Sequence, residues 1–285
     1  MQKELSKKNE IKNKNHCRIF TMENLLCLLI IICPILDVSS FIFRNFFNTN
    51  FSISTFVRPI IPIIAITYIF FKDKIKPQII IAGIAYLGYA ICHVYIFYKI
   101  KTGCAYGNEL REIQYLVNYT FMVMNLFIYI YFFVVKNREK EITKQTVGKS
   151  LKKVKKAVLI ALTIYIVLMY LALITKTSSF TYGETQVGYK GWFESGNSIG
   201  TIMLLSLFIV LPMLNKENRL SIRIWVLMIT VLVGAYLCTL LGTRTGLFGF
   251  IIVVMAYIAF TVLHNLLNKN KLNKKILTIG VIILV

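Results

Sequence analysis

Long, continuous hydrophobic runs dominate this chain, and short polar or basic segments separate them. Most of the runs are close to the length that a helix needs to cross a bilayer, about twenty residues. They lack the alternation that a soluble amphipathic helix or strand shows. We therefore predict an all-α fold, a polytopic bundle of transmembrane helices. Its spans lie at about 19–43, 57–71, 78–98, 115–135, 157–175, 197–214, 224–241, 247–264 and from 276 onward.

The two ends of the chain differ from the middle. Residues 1–18 are polar and basic, and the apolar run that follows is too long for a signal peptide and has no small-residue cleavage site. They are predicted to form a cytoplasmic tail. The last run stops after about ten apolar residues, about half of what a span needs. We therefore expect a transmembrane domain over 19–285 with about eight complete spans and a truncated ninth, C-terminally incomplete.

Charge is distributed unevenly between alternate loops. The net charge of +21 comes from 33 basic and 12 acidic residues, a balance that suggests nucleic-acid binding. The basic residues, however, lie in short segments between hydrophobic runs, where they orient helices in a membrane. With the N-terminus inside, 25 of them fall on inner segments and 8 on outer ones. We predict that orientation and no nucleic-acid partner. The basic segment 136–156 is interpreted as an inner loop, with an anionic-lipid patch as the alternative.

Soluble catalytic motifs and metal sites are not indicated. None of the six cysteines forms a C-x-x-C pair with nearby histidines, so the sequence predicts no metal site and no disulfide framework. There is no Ser-His-Asp arrangement, H-E-x-x-H motif or P-loop. No cofactor is expected.

Two ionisable residues fall within predicted spans. Asp37 is the one acidic residue well inside a hydrophobic run, where a carboxylate is costly and often functional. Pro34 and Ser39-Ser40 suggest the alternative of a broken outer helix end, where the carboxylate could reach water or cap a helix. His93, in the third span, is either a proton relay or a packed polar side chain. Both pairs of alternatives stay open.

A polar, glycine-rich and aromatic segment, 188–200, interrupts the hydrophobic pattern and is predicted to lie outside. Gly191, Trp192 and Phe193 suit either a substrate-binding segment or an interfacial anchor. Asn197 is a good N-cap residue for the span that follows. Helix N-termini also bind phosphate, so a capping role and an anion-binding role are compatible.

Arg244 is the best single candidate for chemistry. It lies in a tight turn, Gly242-Thr243-Arg244-Thr245-Gly246, between two apolar spans and on the same predicted side as 188–200. An arginine there either snorkels to the interface or binds phosphate through its planar, permanently charged guanidinium. The flanking glycines would let a large anionic group approach the backbone.

These residues resemble the signature of the O-antigen ligase/polymerase family. The chain supplies Gly191-x-Phe193-x-x-x-Asn197 and, about 47 residues on, Thr243-Arg244-Thr245-Gly246. Pro34-Ile35-Leu36-Asp37 resembles the family's first-helix motif. The hydrophobic topology resembles that of the family over most of the chain, and the motifs cover about 20 residues.

The resemblance implies a glycosyltransferase that acts on undecaprenyl-diphosphate-linked glycans at the outer face of the bacterial cell membrane. It gives Arg244 the catalytic role of stabilising the departing diphosphate. Gly191, Trp192, Phe193 and Asn197 are implied substrate-binding residues, and Arg58 and Arg111 are weaker candidates by side and charge. The family's catalytic histidine lies in a later external loop, beyond the truncated span, so whether this polypeptide is itself an active enzyme is open.

Within the family, we favour a polymerase over a ligase. From another class, a transporter or flippase for a lipid-linked or anionic solute is the alternative. Transporters often carry several charged residues in mid-span, whereas Asp37 is nearly alone here.

Overall fold

A computed structural model describes residues 21–47, 53–72, 77–101, 109–135, 144–213 and 222–267. These residues form eight long helices and one β-hairpin. The predicted tail and the predicted ninth span lie outside them. The helices are α1 (Met22–Phe47), α2 (Ile53–Lys72), α3 (Pro77–Ile96), α4 (Glu109–Ile130), α5 (Lys144–Ile174), α6 (Gly196–Val210), α7 (Ile222–Leu240) and α8 (Arg244–Leu267).

Eight of the predicted hydrophobic runs are helical, and several helices extend beyond them. A π-helical turn, Phe97–Lys101, continues α3, and another, Tyr131–Val135, continues α4. A 3₁₀ turn, Leu211–Met213, continues α6. Because α5 begins at Lys144, most of the predicted basic loop 136–156 is helix instead. A helix that leaves the hydrocarbon core keeps its backbone hydrogen bonds, so the end of an apolar run need not end the helix.

Among the residues that the structure describes, four helices are long and apolar enough to cross a membrane. They cover Met22–Phe43, Ile80–Ile100, Gly148–Ile174 and Gly196–Met213. Shorter apolar helical stretches cover Val57–Phe71, Tyr119–Val135, Trp225–Leu240 and Arg244–Phe260. The chain is thus a mostly helical membrane protein, while the number of spans and the inside position of the N-terminus stay predictions.

The chain forms two compact units. The first comprises Met1–Leu26 and Phe56–Ser150. Within it, Tyr86 on α3 and Thr120 on α4 share a hydrogen bond of 2.8 Å. His93 Nε2 lies 3.4 Å from Glu112 Oε2, which gives this histidine a polar partner on the neighbouring helix.

The second unit, Cys27–Thr55 and Leu151–Val285, holds the principal hydrophobic core. Side chains of α5, α6, α7 and α8 fill this core, and Val38 of α1 joins them. Leu162, Met203, Leu207 and Leu237 have no exposed surface. The predicted outer segments around 188–200 and 242–246 both belong to this unit.

A two-stranded antiparallel hairpin adds β-structure to the predicted all-α fold. Strands β1 (Ser179–Tyr182) and β2 (Val187–Gly191) pair with Phe180 opposite Tyr189 and Tyr182 opposite Val187. The prediction of an all-α chain was incomplete here, because strands of four and five residues leave little periodic signal. Isolated hairpins are marginally stable, so packing against the helices must support this one.

Asp37 has a specific partner within the core region. The helix α1 runs through Pro34 and Ser40 without a break, so the predicted interruption is wrong. The Tyr165 hydroxyl donates a 2.8 Å hydrogen bond to Asp37 Oδ2, and the Tyr165 ring lies 5.4 Å from the ring of Phe193. Hydrogen bonding offsets the cost of placing a carboxylate among apolar side chains. The contact connects α1, α5 and the segment before α6.

The helices α6 and α8 run parallel and pack closely through glycines. A Cβ built on Gly200 of α6 would lie 3.7 Å from Thr243 Oγ1 and 4.0 Å from Gly246 Cα, at the start of α8. Further along, a Cβ on Gly249 of α8 would meet the Leu204 side chain of α6. Because both contacts advance in the same direction along the two helices, their N-termini lie at the same end. Small residues permit this close approach, as in other membrane helix pairs.

Two glycines bring the hairpin onto the turn between α7 and α8. Gly188 (φ 72°) and Gly242 (φ 65°) both adopt the left-handed region. A Cβ on Gly188 would collide with the carbonyl oxygen of Leu241, and a Cβ on Gly242 would lie 2.9 Å from Gly188 Cα. Only glycine accommodates both the backbone angle and the contact. The hairpin therefore rests directly on the main chain of this turn.

We predict that Tyr165→Phe lowers the free energy of unfolding by about 1–3 kcal/mol, because it removes the hydroxyl that donates to the Asp37 carboxylate. Thermal unfolding of the detergent-solubilised protein measures the change. Tyr170→Phe is the matched control, since Tyr170 lies on the same helix and is half exposed. Equal melting temperatures for the two variants would contradict a stabilising role for this hydrogen bond.

We also predict that Gly188→Ala destabilises the hairpin, because the left-handed backbone alone costs about 1–2 kcal/mol in a residue with a Cβ, before the clash with Leu241. Gly183→Ala in the same hairpin is the control, since a Cβ there meets nothing within 4 Å. A protease binds its substrate as an extended segment, so cleavage after Glu184 in the turn by a glutamate-specific protease requires the hairpin to open. Faster cleavage is expected for Gly188→Ala only; equal rates would refute the backbone contact.

Candidate anion site at two helix N-termini

The start of α6 is capped by Ser195. Its side-chain oxygen accepts a hydrogen bond from the Ser198 N–H at 3.3 Å, and its carbonyl accepts from the Ile199 N–H. Asn197 was predicted as the N-cap, and that prediction is wrong, since Asn197 is the second residue of the helix, two residues after the cap. Serine and asparagine are comparable caps, so the choice depends on where the chain leaves the hairpin.

The start of α8 is capped by Thr243. Its hydroxyl accepts a 3.0 Å hydrogen bond from the Gly246 N–H, and its carbonyl accepts from the Leu247 N–H. Thr243 is 2% exposed, so this cap is buried against the neighbouring elements. Arg244 is therefore the first residue of a helix, whereas the sequence placed it within a turn. Its side chain is exposed.

Both helix starts lie side by side. The contact of Gly200 with Thr243 and Gly246 places the start of α8 beside the second turn of α6. The first N–H groups of each helix have no carbonyl partner within it, and each N-terminus carries a partial positive charge. Two such ends in parallel, with the guanidinium of Arg244 on one of them, favour a bound anion.

Lys190 adds a second cation to this region. Its ammonium donates a 3.0 Å hydrogen bond to the carbonyl oxygen of Glu194, directly before the Ser195 cap. In the sequence, Lys190 is one of the eight basic residues on the predicted outer segments. Its proximity to the helix start depends on the hairpin, because β2 carries Lys190 back toward the start of α6.

The Gly191-Trp192-Phe193 triplet anchors the segment to the core. Gly191 is buried at φ 65° and exchanges hydrogen bonds with the side chains of Ser178 and Ser179. The Trp192 indole N–H donates to Thr177 Oγ1 at 2.8 Å. Phe193 is 3% exposed. The contacts of Gly191 and Phe193 position the start of α6, while Trp192 keeps part of its surface accessible.

Arg58 and Arg111 belong to the first unit, whereas Arg244 belongs to the second. Arg58 lies within α2 and is half-buried. Arg111, predicted in an external loop, lies instead in the first turn of α4. Their predicted contacts with a diphosphate stay predictions.

The sequence did not identify either capping residue, for a different reason at each helix. Ser195 and Ser198 flank Asn197, so the sequence offers several capping residues within one turn. Thr243 was noted only as part of a motif, and its burial follows from the approach of α6 and the hairpin. In the described residues, no group of three or more His, Cys, Asp or Glu side chains is placed to hold a metal ion. The groups that the site offers to a ligand are the cations of Arg244 and Lys190 and the backbone N–H groups of the two helix starts.

Comparison with known proteins identifies the family. The model of a family described as O-antigen ligase like membrane protein matches residues 20–285, nearly the whole chain. No curated protein and no solved structure matches. The match includes every residue of the two capped helix starts. The chain therefore belongs to the O-antigen ligase like membrane protein family, whose role is in surface polysaccharide assembly.

Proposed function

We propose that this protein transfers glycans from undecaprenyl diphosphate at the outer face of the bacterial cell membrane, as a polymerase or ligase of surface polysaccharide. The observation that carries the proposal is the pairing of two parallel helix N-termini with an exposed arginine at the first position of one helix. A diphosphate presents the negative charge and the acceptor oxygens that such a site favours.

In the proposed reaction, a hydroxyl oxygen of the acceptor glycan attacks the anomeric carbon of the donor sugar. The bond from that carbon to the diphosphate oxygen breaks, and the undecaprenyl diphosphate leaves with the electron pair. The hydroxyl proton passes to a general base. Negative charge develops on the leaving oxygen, so Arg244 and the adjacent helix ends lower the barrier by binding it.

Arginine suits this role in a membrane setting. Its guanidinium stays charged at any physiological pH and binds two phosphate oxygens at once. Lys190 contributes a further positive charge beside the start of α6. Asn197, exposed in the first turn of α6, has an amide that can donate to a phosphate or sugar oxygen. Arg58 and Arg111 are weaker proposed contacts, on charge and predicted side alone.

Sidedness also belongs to the proposal. The charge distribution supports an outer position for the hairpin and the start of α8, on the side where the proposed transfer takes place. The parallel course of α6 and α8 requires that both helix starts share one side. Asp37 is nearly alone as a charged residue in the middle of a predicted span, which counts against a transporter.

We predict that Arg244→Ala weakens binding of undecaprenyl diphosphate by about 10- to 100-fold, since charge-assisted hydrogen bonds contribute about 1.5–3 kcal/mol each. Arg244→Lys keeps the charge without the bidentate geometry and should lose less. Binding is measured on the protein in nanodiscs with undecaprenyl diphosphate as the probe, and polymer amount is measured in cells.

Lys156→Ala is the matched control. Lys156 is an exposed basic residue in the half of α5 that lies away from the hairpin, so its loss should change neither readout. Normal binding and normal polymer in both Arg244 variants would show that Arg244 does not contact the diphosphate. If the Arg244 variants bind undecaprenyl diphosphate normally but no longer transfer glycan, Arg244 acts on the transition state and not on the bound substrate.

A further inference from the structure

The β-hairpin has two faces with different chemistry. Directly opposed residues in antiparallel strands lie on the same face, and side chains alternate along each strand. Thr181 and Gly188 face inward: Thr181 packs on Gly196 at the start of α6, and Gly188 packs on Leu241. The other face carries Phe180, Tyr182, Val187 and Tyr189. These four residues are called the outer hairpin face below.

The outer hairpin face is aromatic and accessible. Tyr182, Val187 and Tyr189 are 46%, 50% and 39% exposed. The rings of Phe180 and Tyr189 lie 5.3 Å apart between their centroids, so they form one cross-strand surface. The pairing of Phe180 with Tyr189 across the strands stabilises the hairpin. It still leaves the outward sides of Tyr182 and Tyr189 uncovered.

This face continues into the candidate anion site. Val187 Cγ1 lies 3.4 Å from the position of a Cβ on Gly242, two residues before Arg244. On the reverse side of the same strand, Gly188 touches the turn itself. A molecule held at the start of α8 through its diphosphate therefore has the outer hairpin face beside it, within the same unit.

The side chains of the outer hairpin face favour a carbohydrate over a lipid as the molecule bound there. Most exposed apolar side chains on the helices are aliphatic, as in the run Ile80, Ile81 and Ile84 on α3, although α3 also exposes Tyr89 and Tyr95. The outer hairpin face instead offers tyrosines, whose rings pack on the C–H side of a sugar and whose hydroxyls bond to sugar hydroxyls. The turn between the strands, 183–186, is exposed and polar and includes Glu184, which does not suit an anionic lipid surface.

We propose that the outer hairpin face binds sugar units of the lipid-linked glycan next to its diphosphate. The inference rests on the proposed function, since it takes the diphosphate to lie at Arg244. It adds a subsite for neutral sugar rings, which the cationic helix ends cannot supply. Tyr182 and Tyr189 contribute stacking surface, and Val187 bridges from the sugars to the turn.

The test compares two probes on the protein in nanodiscs: undecaprenyl diphosphate without sugar, and the lipid-linked glycan extracted from the cells that make the polymer. Tyr182→Ala and Tyr189→Ala should each weaken binding of the glycan-bearing lipid by about tenfold, as loss of an aromatic anchor does. Binding of the sugar-free lipid should stay unchanged. Tyr189→Phe keeps the ring and should lose less, and Tyr170→Ala on α5 is the exposed-tyrosine control.

Three results would overturn the proposal. One is unchanged binding of the glycan-bearing lipid in both alanine variants. A second is equal weakening for both probes, which would mark the tyrosines as structural or as membrane anchors. The third is wild-type protein that binds both probes equally well. Arg244→Ala, measured in parallel, separates the two ideas: if it binds both probes normally while the tyrosine variants lose only the glycan, the diphosphate assignment fails alone.

Discussion

Two stretches of main chain meet where Gly188 of the hairpin lies against Leu241 and Gly242, and no side chain separates them. Both glycines adopt left-handed angles, so the contact depends on residues that lack a Cβ. The hairpin is too small to be stable alone, and this contact holds it in one position on the helices. This contact therefore fixes where the hairpin lies, and with it the positions of Lys190, the Ser195 cap and the outer hairpin face.

The parallel packing of α6 and α8 converts two ordinary helix starts into one electrostatic feature. Each N-terminus carries a partial positive charge that decays within about a turn, so only close neighbours add their effects. Gly200 and Gly249 provide that closeness at two levels of the interface. Because Thr243 caps α8 from a buried position, Arg244 is the first residue free to extend toward solvent.

The half-buried carboxylate of Asp37 lies beside the apolar core, and its hydrogen bond to Tyr165 explains how it is tolerated there. Tyr165 also packs on Phe193, two residues before the α6 cap. A residue of the first hydrophobic helix is thereby linked to the segment that sets the start of α6. This gives the Pro34–Asp37 stretch, noted for its resemblance to the family, a physical role in holding the candidate site.

The sequence by itself determined the helices and the family. Predicted spans such as 78–98 and 224–241 agree with α3 and its π-turn and with α7 to within a few residues, because apolar length alone places a helix in a membrane. It also singled out 188–200 and the turn at Arg244. Only the tertiary structure decided which residue caps each helix, which partner Asp37 has, and that 179–191 is a hairpin. Those outcomes depend on contacts between residues far apart in the chain, and neither periodicity nor local propensity encodes such contacts.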